Sequence, residues 1–333
     1  MSDTTRFSNK EPTICPKCKG KNAIRFGKRK ISRGLVQYYQ CKQCGTKYTE
    51  SSTKYLHYPS AAIASALIAY NLGNTLEGTA KLIAKRHKVK VPATTIHSWV
   101  KRYAPICTFA PLRNRYSIIP DDIIKSRKLE HGQVYNFRYH QLKMGLAAKN
   151  FPTLKTYLKW IYSNCPTDIF KVSNRCSNTR IPQIDSVLRE NRGVLSEFKE
   201  NNATKMTQIA LSMAKKKADR HDKVEDFFLA SDSVTVATEV PVWLNPNEIL
   251  KLGLPRSDAI TGHIDIVQTR WNSLHILDFK PELKIDAVTV SQLYLYALAL
   301  SIRTNIRLDR IRCAFFNEKK YVEFKPSIIL CRK

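Results

Sequence analysis

Two aspartates and a lysine carry the first chemical signal. In the run from Leu274 to Lys280, Asp278 and Lys280 are two residues apart. Side chains alternate along a strand, so both point to one face. Asp265 lies in a second β-prone run, Gly262 to Gln268, and a hairpin around 270–273 would set it beside the first. Two carboxylates on adjacent strands make a hard-oxygen site suited to Mg²⁺ or Mn²⁺. Such an ion polarises a scissile phosphate and lowers the pKa of an attacking water. The neighbouring lysine can orient that water, help to deprotonate it and offset phosphate charge. Asp-x-Lys alone is a common pattern, and surface charges on an antiparallel sheet would look the same. The apolar Ile276, Leu277 and Phe279 around Asp278 argue against a freely solvated strand.

Four cysteines carry the second signal. Cys15 and Cys18 form one Cys-x-x-Cys pair, Cys41 and Cys44 another, with 22 residues between Cys18 and Cys41. Two such turns supply four thiolates in the tetrahedron that structural Zn²⁺ prefers. Gly20 and Gly45 follow the pairs closely, as tight turns need. Residues 37–40 and 48–49 can pair as short strands. A segment this small cannot hold itself together by apolar burial, so the metal must fold it.

The elements that position these residues follow from periodicity. Residues 1–13 read as a polar tail and 14–50 as a zinc ribbon. Residues 58–104 read as a three-helix helix-turn-helix: Ser60–Leu72, then Thr75–His87 with Thr75 as N-cap, then Ala93–Tyr103 entered through Pro92. In the third helix Ile96, Trp99 and Val100 face inward. That leaves Thr94, Thr95, His97, Ser98, Lys101 and Arg102 outside, a face suited to a major groove. A plain three-helix packing unit would share the inward pattern. Pro105, Pro111 and Pro120 mark 105–120 as a linker. Residues 121–204 read as mostly helical with an unclear role. Within them, the aromatic and basic residues of 135–161 could line a nucleic-acid channel or form a helical core with a basic outer face. From 205 the order is one long amphipathic helix (205–230), three strands (234–244, 262–269 and 274–280), a helix (288–303) and further strands (310–316 and 321–324). The expected class is therefore multidomain α+β, with an α/β core in 205–333.

Three pieces in that core resemble the PD-(D/E)XK nuclease superfamily, and within it the RecB-like branch: Gly262 with Asp265, Asp278 with Lys280, and Gln292 with Tyr296. The resemblance covers roughly 120 residues. It implies a metal-dependent nuclease in which Asp265 and Asp278 bind Mg²⁺ or Mn²⁺, Lys280 serves the water, and Gln292 and Tyr296 orient the site and contact DNA. It also implies a metal-ligating histidine on the preceding helix. His221 fits, and the reading picks nothing else on that helix; a solvated residue on a charged helix is the alternative. Glu239 is a weaker candidate on the first strand, and Tyr296 could instead simply pack the core. Some members hold an iron–sulfur cluster with three clustered downstream cysteines. Cys107, Cys165, Cys176, Cys313 and Cys331 do not cluster so, and are expected as small buried side chains. The ribbon and the Thr94–Tyr103 segment are similar to the zinc ribbons and recognition helices of transposases and their regulatory partners.

Charge points the same way. The 333 residues carry 56 Lys and Arg against 27 Asp and Glu, a net of +29, and residues 1–110 hold 20 basic residues against 4 acidic. So positive a field attracts polyanions, DNA above all. With 43% hydrophobic residues, a disordered chain is excluded. No apolar run of 18 residues suggests a membrane span. Nine cysteines without an export signal suggest a reducing compartment, hence a cytoplasmic, nucleoid-associated protein. The expected activity is phosphodiester hydrolysis in DNA, with a mobile-element connection. The alternatives are a transcription or transposition regulator with an inactive nuclease fold, and an RNA-processing nuclease. The sequence leaves the oligomeric state open, a dimer included.

Overall fold

The computed structural model describes residues 14–15, 17–31, 34–49, 58–116, 118–120, 122–176, 179–181, 184, 195–198, 201–254 and 258–330. The expected polar tail 1–13 and Cys331 lie outside them. The chain divides into two compact units, Met1–Ser60 and Ala61–Lys333.

The first unit is a three-stranded antiparallel sheet, β1 (Ala23–Ile31), β2 (Gly34–Cys41) and β3 (Lys47–Thr49). The expected pairing holds, with Tyr39 opposite Tyr48 and Gln40 opposite Lys47. Its buried core is Cys15, Ala23, Tyr39, Cys41 and Tyr48, with the two tyrosine rings stacked. Gly27, at φ +97°, sits where the β1–β2 register shifts. A left-handed residue of this kind is what an extra residue in one strand requires, and glycine adopts it without penalty.

The second unit is mixed α/β. Its helical front comprises α1 (Ser60–Asn71), α2 (Leu76–His87), α3 (Ala93–Tyr103) and α4 (Phe109–Arg113). Thr75 caps α2 by accepting a hydrogen bond from Gly78 N, and α3 buries Ile96, Trp99 and Val100. The three helices do not stand apart. Asn71 Nδ2 donates to Ser231 Oγ across 3.2 Å of buried space, and the Thr108 hydroxyl bonds to Asp232 and Ser233. Residues 105–120, expected as a linker, contribute the buried Cys107, Phe109 and Ala110. Proline there starts and stops short turns without keeping the segment in solvent.

Among the described residues, nine strands form one sheet in the order β4-β5-β8-β9-β10-β11-β12-β7, with β6 paired to β9. They are β4 (Ile124–Glu130), β5 (Val134–His140), β6 (Asn174–Arg175), β7 (Leu195–Phe198), β8 (Thr235–Leu244), β9 (Ile260–Arg270), β10 (Ser273–Phe279), β11 (Ile311–Phe316) and β12 (Tyr321–Phe324). The other helices are α5 (Gln141–Ala147), α6 (Pro152–Asn164), α7 (Thr167–Val172), α8 (Asn202–Leu211), α9 (Arg220–Ser231), α10 (Pro246–Lys251), α11 (Ala287–Thr304) and α12 (Ser327–Leu330). β10 is central and buried from Leu274 to Phe279, antiparallel to β9 and parallel to β11. α11 crosses between those two parallel strands and is buried on most of its surface, which is why its sequence shows so little polar face. The core order of helix, three strands, helix, strand is present. No described helix is long and apolar enough to cross a membrane.

Two expectations change. Residues 124–140 form the β4–β5 hairpin rather than helix. Tyr135, Phe137 and Tyr139 recur every second residue, the period of a strand with β-prone aromatics, and Gly132 at φ +75° makes the turn. The single helix over 205–230 is two. α8 ends at Leu211, the like-charged Lys215, Lys216 and Lys217 follow, and Asp219 accepts from Lys216 N as a new helical segment begins.

Candidate metal centres and active-site cleft

In the first unit the ligand atoms of Cys15, Cys18, Cys41 and Cys44 all lie within 4.8 Å of one another, a set that can hold a structural zinc. Each pair sits on a turn closed by a backbone hydrogen bond, Lys19 N to Cys15 O and Gly45 N to Cys41 O. The left-handed residue of the second turn is Gly45, as expected. In the first turn it is Lys19, at φ +61°, one position before Gly20. A Cβ at Gly20 would displace the flexible end of the Gln43 side chain and lie 3.3 Å from the Cys18 sulfur.

In the second unit three neighbouring strands and one helix build the other cluster. The pairing of Leu277 with Ile266 sets Asp265 and Asp278 side by side at the next step. Asp265 Oδ2 accepts the Phe279 N–H at 2.8 Å. On the other flank of β9, Thr238 pairs with Ile266 and Val240 with Ile264, so Glu239 falls opposite Asp265. Glu239 has φ +51°, a left-handed backbone in the middle of a strand. For a residue with a side chain this is strained, and such strain persists where the surroundings hold it. α9 adds His221, whose Nδ1 lies 3.6 Å from Asp265 Oδ2, and Glu225 one turn later. The donor atoms of His221, Glu225 and Asp265 lie within 4.8 Å of one another and can hold a metal ion.

The electrostatics are those of acidic groups confined together. Burial, reinforced by Asp265, pushes Asp278 up to about 7 and Glu239 up to about 8. Burial and the charges of Glu239 and Asp265 hold Glu225 well above the usual carboxylate range. Arg138 Nη2 meets Glu225 Oε2 at 2.8 Å and also pairs with Asp226, which relieves only part of this. Glu225 Oε1 and Glu239 Oε2 are buried without a hydrogen-bond partner. Asp278 Oδ2 lies 2.7 Å from Lys280 Nζ as an ion pair, without hydrogen-bond geometry. Burial works against the charges on Lys280 and His221, but Asp278 and Asp265 respectively outweigh it and hold both pKa values above their ordinary ranges.

A relay leads outward from the lysine. Lys280 Nζ donates to Gln292 Oε1 at 3.4 Å, and Gln292 Nε2 donates to Tyr296 OH at 2.9 Å. Gln292 and Tyr296 stand one turn apart on α11, whose start is fixed by Asp286 accepting from Thr289 N. Gly262 makes room for the ring: a Cβ there would lie 2.1 Å from Tyr296 Cε1. The glycine and the tyrosine, read as separate pieces of sequence, thus fit one against the other.

His221, Glu239, Asp265, Asp278, Lys280, Gln292 and Tyr296 line a cleft of about 370 Å³, and Glu225 does not. Asp265, Asp278, Lys280, Gln292, Tyr296 and His221, expected from sequence, are brought together, and Glu239 joins them. Glu225 was missed, although its i, i+4 spacing from His221 was a readable signal. On the far wall of the cleft His131 and His263 were missed, whereas Tyr135 opens the 135–161 stretch read as a possible channel lining. Thr94, His97, Ser98, Lys101 and Arg102 are exposed on α3 and Thr95 is half-buried; none lines this cleft. A second cavity, of about 710 Å³, lies between α1, α2 and α9. Cys107, Cys165, Cys176 and Cys313 are buried, and Cys176 lines the cleft. Comparison with protein-family models, with curated proteins and with solved structures returned no match.

Proposed function

We propose that the second unit is a metal-dependent nuclease that hydrolyses phosphodiester bonds in DNA, with the first unit and α3 supplying contacts to the duplex. One observation carries the reading: Asp265, Asp278 and Lys280 share a cleft in which buried carboxylate oxygens lack donors. Asp265, Asp278, Glu225, Glu239 and His221 offer the oxygen-rich donor set that Mg²⁺ or Mn²⁺ takes. When bound, such an ion polarises a phosphate and acidifies a water. Lys280, held by Asp278 and Gln292, directs an ammonium towards that phosphate. Tyr296 and Gln292 fix the lysine, so its position need not be organised at the moment of reaction. This arrangement, together with the Gly262/Asp265, Asp278/Lys280 and Gln292/Tyr296 pieces, supports placement near the PD-(D/E)XK superfamily. A net charge of +29 supports a polyanionic substrate. The exposed Thr94, His97, Ser98, Lys101 and Arg102, with Thr95 at their edge, suit a major groove.

The test incubates the protein with plasmid, linear duplex, single-stranded DNA and RNA, with and without Mg²⁺ or Mn²⁺. Metal-dependent cleavage of DNA that is lost in Asp278→Ala supports the reading. Absence of cleavage on every substrate, or an Asp278→Ala variant that cuts like the parent, overturns it in favour of a DNA-binding regulator. Cleavage of RNA alone would make it an RNA-processing enzyme.

A further inference from the structure

The cleft has a second wall to which hydrolysis gives no task. The β4–β5 turn and the start of β5 bring His131 and Tyr135, α7 brings Phe170, β9 brings His263 and β6 brings Arg175. The rings are layered. His131 lies on Phe170 with centroids 3.8 Å apart and planes within 9°, and Tyr135 lies on His263 at 3.5 Å and 8°. A 2.8 Å hydrogen bond between His131 Nδ1 and His263 Nε2 clips the two stacks together. The wall is therefore aromatic and preorganised by its own stacking and by that bond. Tyr135, half-buried, is its most accessible ring, and Arg175 is exposed beside it. The wall and the carboxylates Glu239, Asp265 and Asp278 line the same cleft.

We propose that this wall is a nucleobase subsite: an unstacked base next to the phosphate held at the carboxylates packs on Tyr135, and Arg175 takes the neighbouring phosphate. The inference rests on the nuclease reading for the position of that phosphate. Position favours it. Tyr135 and Arg175 line the same cleft of about 370 Å³ as Asp265 and Asp278, so a strand whose phosphate meets the carboxylates passes that ring. A base that leaves its own stack there exchanges that stacking for an aromatic face. Every base has a π-face, so the subsite tolerates any sequence.

The test uses the full chain carrying Asp278→Asn to stop turnover, with Mg²⁺ present. Its probes are a short single-stranded DNA with 2-aminopurine at alternate positions and the same strand abasic at those positions. Binding should quench the 2-aminopurine fluorescence. Adding Tyr135→Ala should cost about tenfold in affinity for the base-bearing strand, abolish the quench, and leave the abasic strand bound as before. Tyr135→Phe should behave as the parent. Arg175→Ala should weaken both strands alike and reduce the salt dependence. Unchanged affinity in Tyr135→Ala, an equal loss on both strands, or undiminished fluorescence overturns the subsite. If Tyr135→Ala does not fold, Tyr135→Leu keeps the apolar bulk without the ring and makes the same comparison. Base-dependent binding without any metal-dependent cleavage by the parent refutes the nuclease reading and retains the subsite. Cleavage without base dependence refutes the subsite alone.

Discussion

Cys15, Cys18, Cys41 and Cys44 converge from two turns of a sheet whose buried core is five residues. Asp265, Asp278, Glu225 and Glu239 converge from three strands and a helix within the main core, and their charges repel. In the first case a zinc on the donors would organise the fold; in the second the fold holds donors that would otherwise separate. The contrast teaches where stability comes from. A ribbon folds because metal binding supplies roughly 10 to 16 kcal/mol. A carboxylate cluster costs stability until a cation arrives, and the surrounding sheet must carry that cost.

The comparison breaks most easily at the ribbon. Freshly purified protein should hold about one zinc per chain by elemental analysis. Cys41→Ser or a strong chelator should erase the dispersed amide signals of residues 14–49. The thermal transition of the second unit should stay in place. Zinc-free protein with an ordered ribbon would show that the two clusters do not differ in this way.

Next in size is Asp278→Ala. Cleavage should fall by at least about 10²-fold while affinity for DNA changes little, because the loss falls on the transition state. Without metal, this variant should melt no lower than the parent, since like-charge repulsion is removed along with the carboxylate. A melting temperature many degrees lower would mean that Asp278 holds the fold together, as the cysteines do.

A smaller effect is expected at Gly262. Gly262→Ala drives a methyl group into the Tyr296 ring. It should cost about 1 to 3 kcal/mol in denaturant unfolding and lower cleavage by misplacing Gln292 and Lys280. In a Tyr296→Ala background, itself destabilised by the lost ring, the same substitution should cost little further. An equal cost in both backgrounds would deny the fit between the two residues.

The smallest effect belongs to α3. Lys101→Ala and Arg102→Ala should each weaken duplex binding modestly and lower the slope of log affinity against log salt by about one unit. Unfolding should be unaffected, because both side chains are exposed.

The sequence alone determined what depends on neighbours along the chain. The two Cys-x-x-Cys turns, the β2–β3 pairing, the capped α2 with the inward Ile96, Trp99 and Val100 of α3, and the strand order around Asp265 and Asp278 are local patterns of spacing and period. Such patterns survive translation into structure because turns and periodic faces are set by a few adjacent residues. Tertiary structure decided the rest. The β4–β5 hairpin was hidden because its aromatic alternation is short and its partner, β8, lies about a hundred residues away. The packing of α1 into the rest of its own unit was hidden because a helix buried on nearly all sides shows no distinctive face. Glu225 was half-legible: its i, i+4 spacing from His221 stood in the sequence, but a buried carboxylate and a solvated one are the same letter. What distinguishes it is Arg138 from β5 and Asp265 from β9, brought to one point by folds of chain whose separation no local pattern encodes.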